Sequence, residues 1–282
     1  MILDGKKLKD EILNDLKNKV KNLNKKPTLC VVQVGNDEAS NVYINQKKKM
    51  CEYIGYGFIH EKLDKSTTEK ELIALIDSIN NNDDISSILV QMPLPKSINP
   101  KNIQNKVLKY KDVDGLNDEN IIDMINNKDA LLPCTAYGII ELLNHYNIPI
   151  EGSDIVIVGR SSLVGMPLFH ILENKNATVT LCHSKTKNLK KKTLNADILI
   201  VAVGHKGLIT EDMVKDGSVV IDVGINKVDG ILYGDTDFDN IKKKVKYITP
   251  VPGGVGPMTI ASLAKNIYKS YINNNIIDKK SN

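Results

Sequence analysis

Asp154-Ile155-Val156-Ile157-Val158-Gly159-Arg160-Ser161-Ser162-Leu163-Val164-Gly165-Met166-Pro167 is the stretch on which the fold turns. Ile155 to Val158 form an unbroken β-branched apolar run, the pattern of a strand buried on both faces. A glycine-bearing turn follows, and the chain then enters a helix. In a doubly wound α/β sheet this corner binds the pyrophosphate of a dinucleotide, because glycine lets backbone amides approach and the helix N-terminus carries partial positive charge. The spacing here is G-x5-G rather than G-x-G-x-x-G. Gly159 and Gly165 alone would equally suit a strand–turn–helix connection without a ligand.

The pattern repeats on both sides of this segment. Downstream, Thr178–Cys182, Ile198–Val203 and Val219–Val223 are short apolar strands with helical segments between them, which makes a second α/β unit over roughly 150–250. Upstream, Leu8, Ile12, Leu16, Val20 and Leu23 recur at helical spacing, and Thr28–Val34 is a buried strand. Ser40–Ile54 reads as a helix, with Val42, Met50, Tyr53 and Ile54 as its core contacts. Phe58–Leu63 is a strand, and Ser66-x-x-Glu69 is a capping-box pattern for a helix through Ile79. Ser87–Gln91 is a further strand, stopped by Pro93 and Pro95. The middle is helical, over Asn120–Asn127 and from Thr135 as a cap to about Tyr146. A last helix, about Thr259–Tyr271, is expected to pack back on the first domain. The expected fold class is α/β: two α/β domains with a cleft between them. The boundaries read as 1–118 with the terminal helix 257–282, and 119–256.

Composition narrows the function classes. The chain has 282 residues, 38 Lys plus Arg against 34 Asp plus Glu, and a net charge of +4. Arg160 is its only arginine, so individual lysines carry little weight. Lys47–Lys49, Lys190–Lys192 and Lys242–Lys244 read as solvated helix faces. With no Trp and three Phe to interleave with them, no nucleic-acid surface is expected. No apolar run approaches the ~18 residues that cross a bilayer. The charged start, Met1-Ile2-Leu3-Asp4-Gly5-Lys6-Lys7, is not a secretory signal, so a cytoplasmic protein is expected. Cys30, Cys51, Cys134 and Cys182 form no C-x-x-C pair, and the five histidines form no H-E-x-x-H array; no structural metal is expected.

The strand after the glycine turn bears on the cofactor. In NAD binders its end usually carries an acid for the ribose hydroxyl. Here it reads Cys182-His183-Ser184-Lys185-Thr186, with no acid to repel a 2′-phosphate. Arg160 adds a planar fork suited to phosphate. The reading is NADP, with Gly159, Arg160, Ser161, Val164, Gly165 and Ser184 around the phosphates and Gly224 and Ile225 toward the nicotinamide. Ser184 and Lys185 are also compatible with a plain loop.

Ser40-x-x-Tyr43-x-x-x-Lys47 sets Tyr43 and Lys47 one turn apart on a helix. The Y-x-x-x-K of short-chain dehydrogenases is not the right parallel, since there the glycine turn precedes the pair within one domain. Three more segments stand out: Val90-Gln91-Met92-Pro93-Leu94-Pro95, Lys111-Asp112-Val113-Asp114-Gly115, and Thr249-Pro250-Val251-Pro252-Gly253-Gly254-Val255-Gly256-Pro257-Met258-Thr259. Singly, each is a stop or turn signal.

Together, and with LPCTAYG, ATVTLCHSKT, ADILIVAVG and VIDVGIN, these motifs in this order resemble the bifunctional methylenetetrahydrofolate dehydrogenase/cyclohydrolase family, known as FolD, across nearly the whole chain. The resemblance implies NADP-linked oxidation of 5,10-methylenetetrahydrofolate and hydrolysis of the methenyl product to 10-formyltetrahydrofolate. By motif match Lys47 is similar to the lysine of the hydrolytic step and Gln91 to the residue that orients it. Tyr43 looks like the aromatic that stacks on the folate, and Asp114 like the acid that anchors the pterin. Val90, Gln91 and Met92, and Pro252, Gly253, Gly254, Val255, Gly256, Pro257 and Thr259, resemble further substrate contacts. The family suggests a homodimer, and folate tails with several glutamates would meet a Lys-rich surface. Met92 stands where Leu is common and Thr236 where Val is usual; neither is expected to touch the chemistry. The expected chain lacks the formate-activating synthetase domain of larger relatives. Two other readings account for part of the pattern: a shikimate-type NADP dehydrogenase, and an NADP-binding regulator without turnover.

Overall fold

The computed structural model describes residues 1–280 and divides into two compact units. The first comprises Glu11–Cys134 with Ile260–Asn282, and the second Met1–Asp10 with Thr135–Thr259. These boundaries differ from the expected divisions at 118/119 and 256/257.

In the first half of the chain the elements are α1 (Gly5–Val20), β1 (Thr28–Val34), α2 (Glu38–Ile54), β2 (Gly57–Leu63), α3 (Glu69–Asn80), β3 (Ser87–Val90), α4 (Pro100–Lys106) and α5 (Asp118–Ile125). The three strands of the first unit form a parallel sheet in the order β2-β1-β3. Strand periodicity sends alternate residues of β1 to opposite faces. Leu29 and Val31 pack with Leu13, Leu16 and Val20 of α1, Ile44, Met50 and Ile54 of α2, and Leu263 and Ile267 of the terminal helix. Cys30, Val32 and Val34 pack on the other face with Leu72 and Ile76 of α3 and Ile103 of α4. Both faces of this sheet are covered.

Two local readings change. The helix expected from Ser40 begins at Glu38, capped by Asp37, whose side chain accepts a bond from the Ser40 amide at 2.8 Å. The buried stripe of that helix is Ile44, Met50, Cys51 and Ile54, while Val42 is 58% and Tyr53 45% exposed. Val42 lies two residues from Ile44, about 200° around the helix, and therefore faces outward. The capping box is Thr68 with Glu71: each side chain accepts from the other's backbone amide. Ser66 instead donates to Asp64. At the far end of α3 the buried Lys111 ammonium donates to the carbonyls of Asn80 (2.8 Å) and Asn82 (2.9 Å), satisfying groups a helix C-terminus leaves open.

From residue 134 on, the elements are α6 (Cys134–His145), β4 (Asp154–Val158), α7 (Gly165–Glu173), β5 (Thr178–Cys182), α8 (Leu189–Thr193), β6 (Ile198–Val201), β7 (Val219–Asp222), β8 (Asn226–Val228), β9 (Ile231–Tyr233), α9 (Phe238–Ile241), β10 (Tyr247–Ile248) and α10 (Val255–Lys280). Thr135, expected as a cap, lies within the first turn of α6. The sheet of the second unit is parallel, in the order β10-β7-β6-β4-β5. From β4 the chain crosses first to β5 on one side and then to β6 on the other, which makes the carboxyl ends of β4 and β6 the topological switch point. Leu3 donates to the Ile248 carbonyl and Ile248 to that of Met1, which ties the N-terminal residues to this sheet's β10 edge. The β8–β9 hairpin was not expected. Its signal was Asp229-Gly230, a two-residue turn with both φ positive. No described helix is long and apolar enough to cross a membrane.

Candidate active site

In the first unit α2 carries Tyr43 and Lys47, and β3 leads directly to Gln91. The Gln91 amide donates to the Val32 carbonyl at 2.8 Å, so the residue continues the ladder beyond the strand. Its side-chain nitrogen donates to the Met92 carbonyl at 2.8 Å. That bond settles the amide's orientation and turns its acceptor oxygen toward α2. Lys47 Nζ donates to this oxygen at 2.7 Å. Ser40 Oγ reaches the same Met92 carbonyl at 3.2 Å, pinning the start of α2. Burial lowers the pKa of Lys47, and the charge of Asp114 partly offsets that shift. Tyr43 leaves half its surface exposed on the same helix.

The two acids of Lys111–Gly115 do different things. Asp112 is buried and accepts from the amides of Gly115 (3.1 Å) and Asn117 (2.7 Å) and from Asn120 Nδ2 (3.1 Å). Burial pushes its pKa up to about 6, against those bonds. It builds the turn, and the half-buried Asp114 is what the turn presents. Gly115 has φ +71°, and a Cβ there would lie 2.4 Å from the Leu132 carbonyl carbon. The Asp114 pKa is raised by burial, opposed by the charge of Lys47. The Cys134 thiol donates to the Val113 carbonyl at 3.3 Å and is itself pushed well up by burial. Asn266 Nδ2 donates to the carbonyls of Val113 and Leu132, each at 2.9 Å. The loop motifs that hold Asp114 and Cys134 are thus tied from behind by the terminal helix. Sequence reasoning missed Asn266, whose position in a helical run carries no local signal, and Cys134, which it read only for pairing.

In the second unit Gly159 leaves β4 with φ +119° and Gly165 opens α7. A Cβ on Gly159 would stand 2.2 Å from the Ala202 carbonyl oxygen, and one on Gly165 2.0 Å from that of Gly159. Both glycines are therefore demanded by the closeness of the turn to β6 and to itself. Val164 precedes α7 without a side-chain cap; the Met166 amide donates to the Ser161 carbonyl at 3.0 Å and Pro167 has no N–H, so of the first amides of the helix that of Gly165 is left for a ligand or solvent. Arg160 and Ser161 are exposed on this turn, and Ser161 Oγ accepts from the Val164 amide at 3.2 Å. Ser184 and Lys185 sit at the tip of a turn closed by Thr186 Oγ1, which accepts from the His183 amide at 2.8 Å. The open Gly165 amide, an arginine, a serine and no acid at the end of β5 form a donor set that fits a nucleotide with a 2′-phosphate. Gly224 follows β7, donating its amide to Asp222 at 3.0 Å, and Ile225 beside it is exposed.

The Pro252–Thr259 segment, a turn that enters α10 at Val255 rather than at the expected Thr259, also belongs to the second unit. Gly253 has φ +111°, its carbonyl accepts from the Lys6 amide at 3.1 Å, and Val255 is buried rather than presented. A Cβ on Gly256 would meet open space. Among the described residues no group of three or more His, Cys, Asp or Glu could hold a metal ion.

Residues 3–114 match the family model for the tetrahydrofolate dehydrogenase/cyclohydrolase catalytic domain, and residues 133–275 that for its NAD(P)-binding domain. The chain is 48% identical to the bifunctional protein FolD of Sulfurihydrogenibium sp., over 96% of this chain and 97% of the relative. It is similar to the crystal structure of the bifunctional methylenetetrahydrofolate dehydrogenase/cyclohydrolase FolD from Campylobacter jejuni, with 44% identity, coverage of 97% and 99%, and a TM-score of 0.95. It is also similar to the Trypanosoma brucei dehydrogenase-cyclohydrolase complexed with NADP and an inhibitor, with 31% identity, 97% of each chain covered and a TM-score of 0.91.

Proposed function

The chain belongs to the tetrahydrofolate dehydrogenase/cyclohydrolase family, and from that premise we propose which of its residues do the work. The enzyme oxidises 5,10-methylenetetrahydrofolate to 5,10-methenyltetrahydrofolate with NADP and hydrolyses that product to 10-formyltetrahydrofolate. NADP supplies the hydride acceptor. The methylene carbon lies between two nitrogens whose lone pairs stabilise the product cation, so oxidation asks of the protein mainly position. Asp114 accepts the parallel N–H donors of the pterin, and Tyr43 stacks on it. Arg160, Ser161 and Ser184 hold the 2′-phosphate, while the Gly165 amide at the start of α7 and the close turn at Gly159 serve the pyrophosphate.

Hydrolysis needs proton transfer, since water must lose a proton as it attacks the cation. The observation that carries this half is the 2.7 Å bond from Lys47 Nζ to Gln91 Oε1. It holds a half-buried ammonium in one direction, with a pKa lowered toward the range where protons exchange near neutrality. A shikimate-type dehydrogenase would leave Lys47, Gln91 and Asp114 without a task, and a regulator without turnover would not need a lysine held this way. The working form is a homodimer, the protein acts in the cytoplasm, and folates with polyglutamate tails are among its substrates.

One assay tests the reading: formation of methenyl absorbance from methylenetetrahydrofolate with NADP, followed by its decay. In Lys47→Met the decay slows by about 10²- to 10⁴-fold, while NADP binding persists. Unchanged hydrolysis of added methenyl substrate by that variant would remove Lys47 from the mechanism. No signal from the parent with any folate would overturn the activity itself.

A further inference from the structure

Three loops lie side by side at the carboxyl ends of β4, β6 and β7. Ladder bonds set them there: the Ala202 amide donates to Val158 and the Val223 amide to Val201, each at 2.8 Å. The first loop holds Gly159, the second is Val203-Gly204-His205, and the third is Val223-Gly224-Ile225. In a sheet of this order the cofactor lies across these ends.

What fastens the second loop to the third is a side chain from elsewhere. Asp235 is fully buried. One of its oxygens accepts from the amides of Val203 (2.7 Å) and Gly204 (3.0 Å). The other accepts from the His205 amide (2.7 Å) and Asn226 Nδ2 (2.9 Å). Three successive amides converging on one point form an anion nest, and here the chain's own carboxylate fills it. Asp222 completes the construction from the third loop, taking bonds from the amides of Gly224, Asp235 and Thr236 and from the Thr236 hydroxyl (2.6 Å). There is no slack. A Cβ on Gly224 would lie 2.2 Å from the Asp235 carboxyl group, and one on Gly234 2.0 Å from Asp222 Oδ2.

We propose that Asp235 is a positioning residue for the cofactor: its carboxylate joins the loop after β6 to the segment after β7, so that both meet the nucleotide as one preformed surface. Three of its bonds come from the loop after β6, the strand paired with β4, which leads into Gly159, and the fourth from Asn226, directly after the loop that follows β7. The proposal rests on the assignment of NADP to these strand ends. Its physical basis is preorganisation, since loops already held in place lose little freedom when the ligand arrives.

The test is Asp235→Asn, which keeps the shape but points an N–H₂ at amides that already donate. The dissociation constant for NADP, read by titration, is expected to rise about tenfold or more. Hydrolysis of added methenyl substrate, which consumes no NADP, is expected to persist and reports that the chain is folded. An unchanged NADP constant in a hydrolytically active variant overturns the proposal. If Asp235→Asn does not fold, Asn226→Ala decides: it cuts the tie from Asp235 to β8, together with the Asn226 bonds to the Tyr233 and Gly234 carbonyls, and should weaken NADP in the same direction; an unchanged constant again overturns the proposal. A parent that binds no NADP would instead overturn the cofactor assignment.

Discussion

The role proposed for Lys47 rests on what surrounds one nitrogen. Burial disfavours its charged form, and the negative charge of Asp114 favours it. If neutral Lys47 takes the proton from water, the hydrolysis rate rises with pH along a limb set by this lysine, below the ordinary lysine range. Asp114→Asn removes the charge that holds the pKa up, so the limb should move to lower pH, with weaker folate binding alongside it. A pH–rate profile of methenyl hydrolysis checks this. A limb that moves to higher pH, or stays, would mean that Asp114 does not act on Lys47 through its charge. Thr236 belongs at this scale too. It was not expected to touch the chemistry, and its hydroxyl serves the fold, donating to the buried Asp222. A single residue type in sequence does not reveal that a carboxylate waits beside it.

At the scale of elements, the strand–turn–helix unit β4–α7 shows why its glycines are spaced by five. Gly159 lies against the end of β6 and Gly165 against Gly159 itself. The Gly165 backbone is ordinary, so its constraint is packing rather than φ. Gly165→Ala is expected to cost about 1–3 kcal/mol, because backbone must move to admit the methyl. NADP binding should weaken with it, since the start of α7 shifts. A thermal melt with and without NADP measures both; equal melting temperatures for parent and variant would show that the turn has room. In α2 the apolar period was legible but its phase was not. Val42 and Tyr53 are apolar enough to be core, and only the packing of Ile44, Met50 and Ile54 on β1 decides that they face out.

The whole molecule carries acids that pull stability in opposite directions with pH. Asp112, raised to about 6, is protonated in the folded state where the unfolded chain would already have ionised. Folding therefore binds a proton between about pH 4 and 6, and this contribution to stability falls as pH rises through that window. Hydrogen-bonded surface acids such as Asp37, Asp64 and Glu69 have lowered values and act the other way, losing their contribution as pH falls through them. The two trends separate if the parent is compared with Asp112→Asn by urea unfolding. Relative to the variant, the parent should be more stable at pH 4 than at pH 7, by on the order of a few kcal/mol. The same difference at both pH values would show that Asp112 does not titrate in this window. Such a comparison depends on the fold, yet much of the fold was readable beforehand. The sequence by itself determined the strands, the parallel sheets and the glycine corner, and singled out Lys47, Gln91, Asp114 and Arg160 as candidates, because β-branched runs, glycine turns and motif order are local and survive without tertiary context. Only the tertiary structure decided that Asp112 builds what Asp114 uses, that Asn266 braces the loops behind it, and that Asp235 closes a nest thirty residues away in the chain. Those roles are partnerships between buried polar groups distant in sequence. Each is imposed by the need to satisfy a donor or acceptor cut off from water, and that need arises only once the chain has folded.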